Sequence, residues 1–156
     1  MQDLRLAIPD VPITRITYRV PFYDTDAMGI VHHSNYVRYL ELGRVRFLDE
    51  HDEPYVRYVQ QGLHVVVTRV DLRLKRPTRF DETLTVICWI ERVRRASLSF
   101  GYQIVCGDQL TALAFTEHAV LDLQGKPVRI PELRRARLLD LACEPARSLD
   151  RSFMTP

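Results

Sequence analysis

Two aspartates, Asp24 and Asp26, stand two residues apart in the stretch PFYDTDAMGIVHHSNYVRYLELGRVRF, with Gly29 and the pair His32–His33 between them and a helix signal. A carboxylate just ahead of a helix start can work on an electrophilic carbonyl. The free N–H groups and positive dipole end of the first turn polarise the oxygen, while the carboxylate attacks the carbon or activates a water. Asp26 carries that expectation, because Gly29 lets its loop fold back toward the helix. Asp24 is expected to stabilise the loop instead. The residues do not choose between nucleophile and general base, and His32 or His33 could assist. Adjacent histidines rarely point at one ion and no further ligand spacing follows, so no metal is expected.

The helix that would position this site starts near Ser34 and Asn35, both favoured N-cap types. Tyr36, Leu40, Gly43 and Phe47 recur at three- and four-residue spacing, flanked by Tyr39, Leu42 and Val45. Arg38, Glu41, Arg44, Arg46, Asp49 and Glu50 supply a polar side, with Glu41 able to pair with Arg44. Gly43 costs roughly 1 kcal/mol against alanine in mid-helix, which suggests a sheet pressed close to the helix backbone. Glu53–Pro54 ends the helix, and Tyr55–Gln61 forms a short further piece stopped at Gly62.

Strands surround it. Thr14–Val20 alternates as a half-buried strand. Beyond Leu63 the period becomes two, with Val66, Thr68, Val70, Leu72 and Leu74 set against a wetter face of Val65, Val67, Arg69, Asp71, Arg73 and Lys75. Leu84–Val93 reads as an interior strand, with Val86, Cys88 and Ile90 on one face and Ile87, Trp89 and Val93 on the other. Ser97–Cys106 and Leu110–Leu123 follow across a Gly107–Asp108 turn, and Glu132–Leu141 forms a terminal helix. One domain over 1–142 is expected, with a loose lead-in at 1–12 and a flexible tail at 143–156. This order gives an α+β fold: five antiparallel strands laid on one long helix. One long helix cannot cover such a sheet, so self-association is expected.

The whole chain bounds the function classes. Its 156 residues, 46% hydrophobic and 27% charged, suit a soluble globular protein. A net charge of +2 is too small to argue for nucleic acid. No apolar run reaches membrane-span length, and MQDLRLAIPD lacks a secretory signal. Cys88, Cys106 and Cys143 form neither a disulfide framework nor a zinc spacing, so a cytoplasmic setting is expected.

YDTDAMGIVHHSNYVRYLE resembles the motif of the hotdog-fold acyl-CoA thioesterases of the 4-hydroxybenzoyl-CoA thioesterase and YbgC type. FDETLTV, SLSFGYQIV and VLDLQGKPVRIP extend the likeness from about Thr14 to Leu139. The resemblance implies a hotdog that pairs into homodimers and often homotetramers and hydrolyses acyl-CoA thioesters without cofactor or metal. It puts the catalytic aspartate at Asp26 and the carbonyl-polarising backbone amide at His33. Two departures bear on the substrate. Phe22 replaces a tyrosine, so hydroxyl help must come from Tyr23, and Met28 replaces a small residue, which narrows the acyl pocket. Tyr23, Met28, Gly29 and Tyr36 are the pocket candidates. Arg94 and Arg95, with Arg92 and Arg129, suit the phosphates of CoA or form a solvated rim. A carrier-protein thioesterase or a non-hydrolytic acyl-binding protein is the alternative. A dehydratase would need a histidine–acid pair that has no evident position here, and a D-x-D phosphotransferase lacks its flanking pattern.

Overall fold

Alternating residues build β1 at Thr14–Arg19, where Ile16 and Tyr18 pack inward and Arg15, Thr17 and Arg19 are exposed. A 3-10 turn at Phe22–Asp24 leads to α1 (His33–His51) and α2 (Tyr55–Gln60). After them come β2 (His64–Leu74), β3 (Thr83–Val93), β4 (Ser97–Cys106), β5 (Gln109–Leu121) and α3 (Glu132–Leu141). The computed structural model describes residues 8–143. Residues 1–7 of the expected lead-in and 144–156 of the expected tail lie outside the described residues.

The strands form one antiparallel sheet in the order β1-β3-β4-β5-β2, with α1 against β3 and β1. This is the α+β layout that the element pattern implies, and the hotdog arrangement that the resemblance implies. Tyr36, Tyr39, Leu40, Phe47 and Leu48 seal α1 onto the sheet. Burying each such side chain contributes roughly 1.5–3 kcal/mol. Gly43 permits the close approach: a Cβ there would lie 3.1 Å from Val86 Cγ1 and 3.4 Å from Cys88 Cβ.

Four expectations change. Arg44 is not on the solvated side of α1. It is buried, donating to Glu41 Oε1 at 2.6 Å and lying over the Tyr55 ring at 5.3 Å. In β2 a bulge between Val67 and Arg69 leaves Thr68 without a partner across the ladder. One extra residue flips the alternation, so Val65 and Val67 share the face of Val70, Leu72 and Leu74. A second bulge, between Ile90 and Arg92, likewise moves Val93 onto the face of Ile90. Lastly, Ile8 and Val11 of the expected loose lead-in pack with Ile13, Ile87, Trp89 and Cys143 on the far side of the sheet. Cys143, placed in the tail by composition, donates its N–H to Ile90 O at 3.0 Å.

Beneath α1 lies a polar chain that the sequence did not single out. Tyr102 Oη meets Thr116 Oγ1 at 3.1 Å, and Thr116 Oγ1 meets His118 Nε2 at 2.8 Å, all buried. Burial, with a smaller contribution from Arg44, pulls the His118 imidazole down to about 3. The unfolded chain therefore binds a proton more readily than the folded one below about pH 6.5. Stability from this group is full above that pH and is lost as pH falls toward 3. Replacing His118 by valine should flatten this acid-side loss by on the order of 3 kcal/mol between pH 7 and pH 4. Urea unfolding of both proteins at the two pH values checks it, and parallel losses would contradict it.

Candidate active site

The Asp26 loop is a small hairpin folded back on the start of α1. Thr25 and Val31 bridge antiparallel, the Asp26 N–H donates to Ile30 O at 2.9 Å, and the Gly29 N–H donates to Asp26 O at 2.9 Å. The Met28 N–H donates to Asp26 Oδ1 at 2.8 Å, a local turn that orients the carboxylate. Gly29 has φ +73°, the left-handed region that favours glycine. The far side of the hairpin is pinned to the β2–β3 connection by the Ile30–Arg79 bridge and by Val31 N–H donating to Thr78 O at 2.8 Å. Asp26 itself is half-buried, and among the described residues it has no ion-pair partner.

The helix start differs from the expected capping. His32, not Ser34 or Asn35, is the N-cap, with Nδ1 accepting the Ser34 N–H at 3.3 Å. An accepting Nδ1 leaves the ring proton on Nε2. The Asn35 N–H donates to His32 O at 2.9 Å. The His33 N–H, by contrast, has no acceptor among the described residues. This is the backbone donor at the positive end of the α1 dipole. The His33 side chain is exposed and lies against His32, with ring centroids 4.1 Å apart and the planes tilted by 34°. No cluster of three metal-ligating side chains occurs among the described residues.

Asp24 lies underneath and is buried. Its Oδ2 accepts from Tyr39 of α1 at 2.6 Å and from Tyr18 of β1 at 2.9 Å. Its carbonyl accepts the His32 N–H at 2.9 Å and Asn35 Nδ2 at 2.8 Å. Burial and the Asp24 carboxylate push the Tyr18 phenol up to about 12 and raise Tyr39 further, so both remain donors at any ordinary pH. Hydrogen bonds to a charged acceptor contribute roughly 1.5–3 kcal/mol each. Tyr18 and Tyr39 escaped the sequence reading as parts of the site. The available signal was that the strand and helix patterns turn both inward, toward an acid that also had to be housed.

The other candidates divide. Tyr23 and Met28 are 78% and 72% exposed on the loop, beside Phe22, whose ring meets Phe80 edge-on at 5.7 Å. Tyr36 is shut in the core with its hydroxyl 3.2 Å from Thr78 Oγ1, so within this chain it does not line the loop. Arg94 and Arg95 are not brought to Asp26 either. They follow Val93, whereas Arg19 pairs with Thr83 at the loop end of β3. The eleven residues of that strand separate the two ends by roughly 30 Å. Arg95 instead joins Arg129, Glu132 and Arg135 around a cavity of about 290 Å³, and Arg94 joins Arg92, Ser97 and Ser99 around another of about 180 Å³.

Comparison with known proteins adds to this geometry. Residues 20–138 match the family described as the thioesterase-like superfamily. The acyl-CoA thioester hydrolase YbgC of Escherichia coli O157:H7 is 31% identical over 73% of this chain and 87% of its own length. A protein of Aquifex aeolicus named as a candidate esterase is 40% identical over 73% of this chain and 88% of its own. The crystal structure of a hypothetical protein from Thermus thermophilus aligns with TM-score 0.80 and 32% identity, covering 85% of this chain and 100% of that one.

Because Gly29 holds a positive φ, Gly29→Val should cost roughly 1–2 kcal/mol in thermal or urea unfolding. Unchanged stability would show that the hairpin does not depend on that conformation.

Proposed function

The chain belongs to the thioesterase-like superfamily, and on that footing we propose that it hydrolyses acyl-CoA thioesters to the free acid and CoA. Asp26 is the nucleophile or general base, and the His33 backbone N–H polarises the thioester carbonyl. The observation that carries this reading is an aspartate hairpin folded back beside a helix start whose His33 N–H is unpaired. Donors fixed before charge develops on the carbonyl oxygen are the effective ones in such chemistry. By one route, an Asp26 oxygen bonds to the carbonyl carbon and expels the CoA thiolate, and water then hydrolyses the mixed anhydride. By the other, Asp26 takes a proton from water as that water attacks. Thiolate leaves readily, so neither route demands a strong general acid.

The exposed side chains of Tyr23 and Met28, with the Gly29 backbone, line the approach of the acyl group or pantetheine arm. Arg94 and Arg95 take the CoA phosphates. Because both arginines stand a strand's length from Asp26 in their own chain, the arginines serving one site come from another copy. Self-association into homodimers and homotetramers fits that arrangement. It fits also with edge strand β2, which exposes Val66, Val67, Val70 and Leu74. Among the described residues no helix is long and apolar enough to cross a membrane, and the three cysteines are free thiols, consistent with work in a reducing cytoplasm.

The decisive assay follows free thiol across short, medium and aromatic acyl-CoAs. Wild type should exceed the buffer rate, and Asp26→Asn should lower kcat/KM by about 100-fold or more. Activity should survive a chelator. Wild-type rates equal to buffer on every acyl-CoA, with turnover of acyl-carrier substrates, would move the reading to a carrier-protein thioesterase. No turnover at all would leave only acyl binding. Light scattering should give a mass of two or four chains, and a monomer at assay concentration would refute the shared site.

A further inference from the structure

We infer that Asp24 is the positioning residue of this site: one buried side chain and its own carbonyl hold the Asp26 hairpin and the first turn of α1 in a single unit. It makes no contact with substrate, since only 1% of it is exposed. Its reach is to four separate groups. Tyr18 Oη from β1 and Tyr39 Oη from α1 donate to Oδ2, at 2.9 and 2.6 Å. The His32 N–H and Asn35 Nδ2 donate to the carbonyl, at 2.9 and 2.8 Å. The Tyr18 and Tyr39 rings lie 4.7 Å apart, so the two phenols approach the carboxylate as one packed pair. Arg38 closes the arrangement from outside, with Nη1 3.3 Å from Asn35 Oδ1 and 3.8 Å from the buried Asp24 Oδ1.

The connection to chemistry is short. Thr25, the next residue, enters the bridge to Val31, and Asp26 follows at once. On the other strand of the hairpin, His32 caps the helix whose next N–H belongs to His33. Release of Asp24 would let the carboxylate and the amide drift apart, and displacement by about 1 Å costs a reaction of this kind on the order of 100-fold. Asp24 thereby acts through geometry, with its charge strengthening the two phenol hydrogen bonds. An asparagine at 24 keeps a carbonyl oxygen able to accept both phenols, whereas alanine keeps none.

This inference rests on the hydrolase reading of Asp26, so its test has one arm with substrate and one without. Asp24→Ala should lower kcat by about 10- to 100-fold with KM within a few-fold of wild type, and Asp24→Asn, which keeps the oxygen but not the charge, should restore part of the rate. Without substrate, amide hydrogen exchange over residues 25–33 should quicken by about tenfold or more in Asp24→Ala, while Leu40–Phe47 stays protected. Should Asp24→Ala fail to fold, Tyr39→Phe removes the 2.6 Å bond and should show the same two signatures in weaker form. Unchanged exchange at 25–33, or a rate that Asp24→Asn does not restore even in part, overturns the inference. A wild type inert toward every thioester sinks the hydrolase reading alone, and the exchange arm still decides whether Asp24 holds the loop.

Discussion

A helix start with an open N–H faces conflicting demands. Its first N–H groups must be free to meet a ligand, yet an end left without partners frays or closes on itself. Here the demands are divided among neighbours. His32 accepts the Ser34 N–H through its ring and the Asn35 N–H through its carbonyl, and the His33 N–H is left over. The order of that open end comes from the layer beneath, where buried Asp24 gathers two phenols on its carboxylate and a backbone amide and an asparagine on its main-chain carbonyl. The helix end is thus ordered from below, without being capped from above.

That arrangement depends on packing further along the helix. Gly43 lets α1 sit directly on Val86 and Cys88, and Phe47 meets Phe100 edge-on at 5.9 Å. With the middle of α1 fixed on β3, its first turn is held near the loop end of the sheet, where the β2–β3 connection receives the hairpin through Thr78 and Arg79. The sheet supplies rigidity and the loop presents Asp26 beside the helix start, the usual division between a scaffold and the segment it carries.

Most of the fold was legible because its signals are periodic. The boundaries of β4 and α3 and the close approach at Gly43 follow from alternation, helical spacing and the cost of a mid-helix glycine. What periodicity hides is a single inserted residue. The bulges at Thr68 and Glu91 reverse faces in β2 and β3, and nothing in local composition marks them. Arg44 was misread because an arginine on a helix is ordinarily solvated, while this one has a carboxylate three residues before it and an aromatic ring from α2 above it. In the site, the D-x-D spacing, the glycine and the helix start were visible. The His32 cap was not, because histidine is no strong capping type and Ser34 and Asn35 stood beside it. Nor was the distance between the arginines and Asp26 visible, since it depends on which end of a long strand each occupies.

The central claim is spatial: one thioester carbonyl is held between the His33 N–H and the Asp26 carboxylate. It is tested most directly by a crystal structure with a CoA ketone analogue, in which a methylene replaces the thioester sulfur and the carbonyl cannot be hydrolysed. The account predicts the ketone oxygen about 3 Å from the His33 nitrogen, with an Asp26 oxygen, or a water bound to it, on the opposite face of the carbonyl carbon. A well-ordered analogue whose carbonyl lies elsewhere, with both groups still facing solvent, would contradict it.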